Sequence, residues 1–240
     1  MPYNQIEYKL HNYRFGQSHG VSVPRVLEVW PTPSAIDLAE MPDLFVLKSD
    51  QGSSGRGVLP LRRIGFDSYE LVDGQGSFTM ASVVEHFEAR EGTGKIAGPY
   101  FAEEFLDQAH SGPLPDDVKI YVCHGEVMMT LLRHVDTHGL QGEHRRRYVS
   151  AEGTDLGAVM LAMDVDDTIE MPVDYAEMVQ IASHLSRALG VPFARVDLYQ
   201  TTVGPVLGEI TRARETHRPI GPSTTNTWVG FGTRPRPALS

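Results

Sequence analysis

The chain reads as an α+β protein rather than a doubly wound parallel sheet. Three observations predict this: short apolar strands dominate, many are joined by tight hairpin turns, and the helices are interspersed among them. The elements follow in order. Residues 4–15 predict a helix with Ile6, Leu10 and Tyr13 on one face, ended by Gly16 and Gly20. The stretch from Trp30 to Pro42 carries Pro31, Pro33 and Pro42 and reads as a connector with one helical turn over residues 34–40. Residues 45–48, Phe-Val-Leu-Lys, predict a short strand that runs into a glycine- and serine-rich loop. Strands follow at 58–62 and 69–72, separated by a turn around Gly65.

Residues 79–90 predict a helix with Met80, Val83, Val84 and Phe87 on one side. A strand is expected at 100–106, and a hairpin pairs 118–123 with 127–133 across His124-Gly125-Glu126. Residues 134–158 are polar and read as a long loop. The clearest helix runs from Asp174 to Leu189. Asp174 and Glu177 suggest a capping box, Tyr175, Met178, Ala182, Leu185 and Leu189 form the apolar stripe, and Gly190 is the stop. Strands at 193–199 and 206–211 close the pattern, and the proline-bearing tail from Thr233 reads as loose.

Composition limits the function. The 240 residues suffice for one large domain or two subdomains sharing a core. With 41% hydrophobic and 22% charged residues, a disordered chain or a fibre is excluded. No apolar run approaches the ~20 residues of a membrane helix. Met1-Pro2-Tyr3-Asn4-Gln5 has neither the basic flank nor the apolar stretch of a signal peptide, so a cytoplasmic address is expected. One cysteine, Cys123, excludes an intramolecular disulfide and a cysteine-built zinc site. A net charge of −10 opposes nucleic acid, so neither nucleic acid nor a membrane is expected as partner. Only Lys9, Lys48, Lys95 and Lys119 are lysines among 21 basic residues, which makes their positions informative.

Lys48 stands at a strand end, and Gly52, Ser53, Ser54, Gly55 and Gly57 follow. Backbone N–H groups in such a loop can approach an anion. The chain leaves the loop into a strand and lacks Gly-Lys-Ser/Thr, so this is no Walker A loop. A phosphate flap and a plain glycine-rich hairpin both fit. Lys95, in Gly92-Thr93-Gly94-Lys95, follows a helix and reads as a turn. Asp197 and Glu209 lie in two strands joined by a tight turn, so antiparallel pairing brings them together. Two adjacent carboxylates repel unless a proton or a cation intervenes. Magnesium held with substrate phosphates is one solution, and a pairing with Arg195 is another.

Two further clusters carry charge. His134, Asp136 and His138 would share a face in a strand, but Asp-Thr-His-Gly reads as a turn, which argues against a metal there. Arg145-Arg146-Arg147 fits either a solvated run or a guanidinium clamp for an acceptor carboxylate or phosphate. Arg133 and Arg212-Ala213-Arg214, at the ends of motif strands, rank above it as candidates.

The order of these elements resembles the ATP-grasp superfamily, nearest to its teichuronopeptide-biosynthesis-like (TupA-like) group. The resemblance rests on Lys48 with its glycine loop, the Glu103-Glu104-Phe105-Leu106 strand, Asp116-Asp117-Val118-Lys119, Arg195-Val196-Asp197 and the terminal Glu209 strand. It spans about residues 5–215. It implies two α+β subdomains clamping ATP, with the usual N-terminal substrate domain reduced to one helix. The corresponding division is 1–43 for helix and connector, 44–98 for the small subdomain and flap, 99–232 for the large subdomain with the metal site, and 233–240 for the tail.

The resemblance also implies roles. Lys48 would contact the α- and β-phosphates under a flap of Gly52, Ser53, Ser54 and Gly55. Glu103, Glu104, Phe105 and Leu106 would receive adenine, largely through backbone groups, Asp107 ribose, and Lys119 would reach the β- and γ-phosphates. Asp197, Glu209 and Thr211 would bind Mg2+, with Thr211 where asparagine is commoner. Arg195 would stabilise the tetrahedral intermediate, with Arg133 and Arg212 as further catalytic cations. Lys9 would be the first-helix lysine, although Tyr8 stands where aspartate is usual. The implied activity is ATP-dependent joining of a small-molecule carboxylate to an amine in natural-product or cell-surface polymer biosynthesis, with a carrier or partner protein able to supply the acceptor. Small-molecule kinase and non-catalytic nucleotide-binding subunit are the alternatives.

Overall fold

The computed structural model describes residues 6–52, 55–107, 116–135, 144–159 and 165–212. In chain order the elements are α1 (Lys9–Ser18), β1 (Val26–Trp30), a 3-10 turn (Pro33–Ala35), β2 (Leu44–Gly52), β3 (Val58–Gly65), β4 (Ser68–Leu71) and β5 (Ser77–Phe78). Then come α2 (Met80–Gly92), β6 (Ile96–Glu104), β7 (Asp117–Cys123), β8 (Glu126–Val135), β9 (His144–Val149), α3 (Tyr175–Leu189), β10 (Phe193–Thr201) and β11 (Gly204–Arg212). They form a six-stranded sheet, β1-β6-β2-β3-β4-β5, and a five-stranded sheet, β11-β10-β7-β8-β9. Every recorded pairing is antiparallel, as an α+β architecture requires.

In each sheet one face packs on a helix-covered apolar core and the other carries the charged residues, because side chains alternate along a strand. In the first sheet Phe45, Leu47, Tyr100 and Ala102 are fully buried with Val83 and Phe87 of α2. Their neighbours Lys48 and Glu103 face the other way. In the second sheet Val118, Ile120, Val196 and Ile210 pack with Met178, Ala182 and Leu185 of α3. Lys119, Asp197 and Glu209 alternate with them on the opposite face.

Helix α1 joins the two units. Phe15, with Ile6 from the segment just before the helix, enters the second core, while Tyr13 lies edge-on against Phe101 of the first sheet. Asn12, 1% exposed, accepts the Ile210 backbone N–H and donates to the carbonyls of Ile6 and Tyr8. Gly16 does not end this helix, which continues to Ser18. A Cβ at Gly16 would come within 2.7 Å of the Leu207 side chain, so the glycine lets α1 lie close on β11.

Other expectations are also revised. β1 is an edge strand with no clear alternation, and Trp30 closes it rather than opening a connector. The helical turn expected over 34–40 contracts to the 3-10 turn. β6 ends at Glu104, leaving Phe105 and Leu106 beyond the strand. The expected division at 98/99 falls inside β6, which belongs to the first sheet; the second sheet starts at Asp117. The expected loop over 134–158 contains β9, an edge strand masked in sequence by its arginines, a residue type that suits edges. Asp174 is the N-cap of α3 but makes no side-chain cap. Its carboxylate accepts from Gln200 Nε2 at 2.6 Å instead.

Candidate active site

Lys48 of β2 pairs with Glu103 of β6, and the Tyr13 hydroxyl of α1 donates to Glu103 Oε2 at 2.7 Å. Lys48 Nζ also donates to that hydroxyl at 3.3 Å. Glu103 is 2% and Lys48 8% exposed. A charge this buried needs its partner, so the Glu103 side chain holds Lys48 at the sheet face. Burial and the Glu103 charge push the Tyr13 hydroxyl well above its ordinary range, which keeps it a neutral donor.

Beyond Lys48, the root of the glycine loop is built by α1. Lys9 Nζ donates to the carbonyls of Ser49 at 3.0 Å, Asp50 at 3.3 Å and Gly52 at 3.1 Å. Asp50 in turn accepts the Leu10 backbone N–H at 2.8 Å. Gly57 accepts the Ser49 N–H at 2.7 Å. A Cβ on Gly57 would fall 1.9 Å from Ser49 Oγ, so this glycine is sterically required. Gly52 and Gly55 have φ of 127° and 71°, open only to residues tolerating the left-handed region. Ser53 and Ser54 lie outside the described residues. Burial lowers the Lys9 pKa, and neighbouring Lys48 adds to this against the pull of Glu209.

Lys9→Met removes three donors from the root of the loop. Tryptic cleavage after Arg56 should accelerate several-fold while the global melt changes little, since only the loop is released. Equal cleavage rates would detach Lys9 from the loop.

Across from Lys48, the second sheet presents one connected row. Cross-strand register sets it: Glu209 opposite Asp197, Asp197 opposite Lys119, Thr211 opposite Arg195 and Asp117 opposite Arg133. Asp197 Oδ1 accepts from Arg195 Nε at 2.6 Å. Its Oδ2 accepts from Arg195 Nη2 at 2.8 Å and from Lys119 Nζ at 2.5 Å. Lys119 also meets Asp117 at 2.9 Å, and Asp117 pairs with Arg133. Thr211 Oγ1 accepts from Arg195 Nη2 at 3.0 Å. Glu209 meets a cation within 4.0 Å only at Arg195, among the described residues. A bulge at Gly208 shifts the register after Asp197, so Glu209 stays on the site face while Leu207 enters the core.

The electrostatics follow. Burial and the Asp197 charge raise the Glu209 carboxyl above its ordinary range, with Lys9 and Arg195 opposing. Burial would lower Lys119, but Asp117 and Asp197 outweigh it and raise the ammonium above its usual value. Burial pushes Asp117 up, and Lys119 and Arg133 more than reverse this.

An acid whose pKa is raised on folding costs stability once it ionises. That cost is absent below its ordinary value of 4.5 and grows as pH rises through the shifted one. Glu209→Gln is therefore expected to raise the melting temperature of the nucleotide-free protein at pH 7.5, with the gain vanishing at pH 4. Melts at both pH values decide it, and a lower melting temperature at pH 7.5 would refute it.

The row fits a magnesium site that draws on a polyphosphate. Aspartate, glutamate and a threonine hydroxyl are hard oxygen donors, and the ion commonly takes one or two carboxylates plus phosphates. Both Asp197 oxygens already serve Arg195 and Lys119, so Glu209 retains the free donor capacity. No group of three or more His, Cys, Asp or Glu side chains that could hold a metal occurs among the described residues.

Structure brings Lys9, Lys48, Glu103, Lys119, Arg133, Asp197, Glu209, Arg195 and Thr211 to these two faces. Arg212 does not join them: its register partner is Ala194, so it lies on the other side of β11 and is exposed. Glu104 also turns away, accepting the Arg25 backbone N–H at 2.8 Å. Phe105, Leu106 and Asp107 lie past the end of β6, the first two half-buried. Lys95 sits in the turn after α2, as expected. His134 meets Asp116 at 2.7 Å, and Asp136, His138, Ala213 and Arg214 lie outside the described residues. Sequence reasoning missed Tyr13 and Asp117 as site residues. Asp117 stood two residues before Lys119, a spacing that shares a strand face; nothing local marked Tyr13.

Two antiparallel sheets with helix-covered backs and facing charged surfaces define the ATP-grasp fold, and the structural neighbours share it. D-alanine–D-alanine ligase from Bacillus anthracis matches with a TM-score of 0.55 and 13% identity, covering 95% of this chain and 63% of that one. The ATP-grasp ligase PsnB, complexed with minimal precursor, Mg and ADP, matches with a TM-score of 0.51 and 16% identity over 90% and 53%. L-amino acid ligase from Bacillus licheniformis matches at 0.51 and 13% over 95% and 44%. The chain thus spans between 44% and 63% of the length of these structures. No curated protein sequence matches. The TupA-like ATPgrasp family model matches residues 1–230, and the chain belongs to that family. No helix among the described residues is long and apolar enough to cross a membrane.

Proposed function

We propose that this protein is an ATP-dependent ligase that joins a carboxylate to an amine through an acyl phosphate. The observation that carries this reading is the unbroken row Glu209, Asp197, Arg195, Lys119, Asp117 and Arg133 on one sheet. Taken by contact, Glu209–Arg195–Asp197–Lys119–Asp117–Arg133, it alternates acid and base across four strands of one sheet face, and its cations are the groups that stabilise charge on a polyphosphate. Lys48, locked by Glu103 and Tyr13 on the other sheet, supplies a cation at the root of the glycine loop.

In this mechanism a substrate carboxylate oxygen attacks the γ-phosphorus of ATP and ADP leaves. The amine nitrogen then attacks the acyl carbon, loses a proton, and inorganic phosphate departs. Lys48 and Lys119 bind phosphate oxygens. Arg195, positioned by Asp197, stabilises the oxyanion of the tetrahedral intermediate. Asp197, Glu209 and Thr211 are the residues that would hold magnesium, which when bound neutralises charge on the phosphates. Phe105, Leu106 and Asp107, beyond the β6 end, would receive adenine and ribose.

PsnB, with its minimal precursor, makes a peptide a candidate substrate beside small acids and amines. The test is magnesium-dependent ADP release with panels of acids, amines and short peptides. Turnover that requires both an acid and an amine supports the ligase. Turnover on an alcohol alone would make the protein a kinase, and ATP binding without turnover a nucleotide-binding subunit.

A further inference from the structure

The three consecutive arginines of β9 have different fates. Strand alternation sends Arg145 and Arg147 to one face and Arg146 to the other. Arg145 pairs with Asp166 at 3.0 Å. Arg147 grips Asp155 with two bonds, at 2.7 and 2.9 Å, and donates to the Ile169 carbonyl at 2.6 Å. Both are structural ties of the edge strand. Arg146 is half-buried, and its guanidinium has no hydrogen-bond or ion-pair partner among the described residues.

Arg146 stands directly opposite Arg133, as Tyr148 stands opposite Leu131. It therefore extends the charged row by one strand. Burial raises the Tyr148 hydroxyl above its ordinary range, and Arg146, two residues along on the same face, opposes this. Like charges directly opposed across strands are unfavourable. Asp117 relieves Arg133; nothing described relieves Arg146. Two opposed guanidiniums with one counter-charge leave room for one more anion.

We propose that Arg146, facing Arg133, binds a carboxylate of the substrate being joined. The assignment rests on the ligase reading above. Three strand spacings, about 14 Å, separate β9 from the Asp197 strand. Phosphates held at Asp197 and Glu209 have Lys119 and Arg195 nearer to hand. The planar guanidinium fork matches a carboxylate with two parallel bonds, which an ammonium cannot reproduce.

The experiment compares wild type with Arg146→Gln in thermal melts, at matched ionic strength, using succinate or inorganic phosphate as probe. Without anion the variant should melt about 1–3 °C higher, because the opposed charge is gone. Succinate at about ten times its Kd should raise the wild-type melting temperature by about 3–5 °C and leave the variant unmoved. ATP–magnesium affinity, measured calorimetrically, should be the same in both. A variant that melts lower makes Arg146 structural and overturns the proposal. So does a succinate shift that is absent from wild type or kept by the variant. A larger response to phosphate than to succinate, or a tenfold loss of ATP affinity, assigns the arginine to the nucleotide and also overturns it. If wild type fails to bind ATP, the ligase reading falls, while the succinate comparison still decides the role of Arg146.

Discussion

Asp197→Asn and Glu209→Gln are each expected to reduce magnesium-dependent ADP formation by about 10²–10³-fold, with the double variant little worse than either single. The reason is that both act on one ion, so removing either leaves the same defective site. Their stabilities should diverge. Asp197 is 3% exposed and binds both Lys119 and Arg195. Removing its charge strands two cations, and breaking a buried pair costs about 3–5 kcal/mol. Glu209 carries an unfavourable charge, so its removal stabilises. Melts and ADP assays on the same preparations should give opposite melting shifts and equal catalytic losses. Full activity in either single, or cleanly multiplicative losses in the double, would separate the two residues and remove the shared metal.

Lys48→Ala is expected to weaken ATP binding about 10- to 100-fold, the scale of a hydrogen bond to a charged group. It should also destabilise the fold, because among the described residues the Glu103 side chain keeps only the Tyr13 hydroxyl as partner. The double variant Lys48→Met with Glu103→Gln removes both charges. It should recover stability, as replacing a buried pair often does, yet still bind ATP poorly. Calorimetry and melts on wild type, single and double decide the matter. Unchanged affinity in a folded Lys48→Ala protein would remove Lys48 from the nucleotide site.

Much of this site was legible in the chain. Lys48 before a glycine loop and the pair Asp197 and Glu209 were readable from the residues, because period-two alternation fixes which residues share a face, whereas Lys119 and Arg195 came from the resemblance in element order. Antiparallel pairing over a short turn then brings Asp197 and Glu209 together whatever the rest of the fold does. Alternation over a short turn also placed the hairpin of β7 and β8, and the 3.6-residue period placed the apolar stripe of α3.

Other features were hidden. The arginine-rich β9 looked like loop, since an edge strand tolerates charge and loses the apolar signal. Gly16 looked like a helix stop because sequence cannot show that Leu207 lies against it. The pairing of the Glu103 side chain with Lys48 and Tyr13 was hidden too, because it links residues far apart in the chain.

The sequence by itself determined the α+β class, the alternation of each strand and the local pairing of carboxylates. Only the tertiary structure decided that α1 joins the two sheets, that Lys9 secures the glycine loop, and that one arginine of three faces the site. The physical reason is range. Alternation and turn chemistry act over a few residues, whereas the contacts from Lys9 to Ser49, Tyr13 to Glu103 and Asn12 to Ile210 span 40, 90 and 198 positions. They depend on how distant elements pack together, and nothing in the local pattern encodes them.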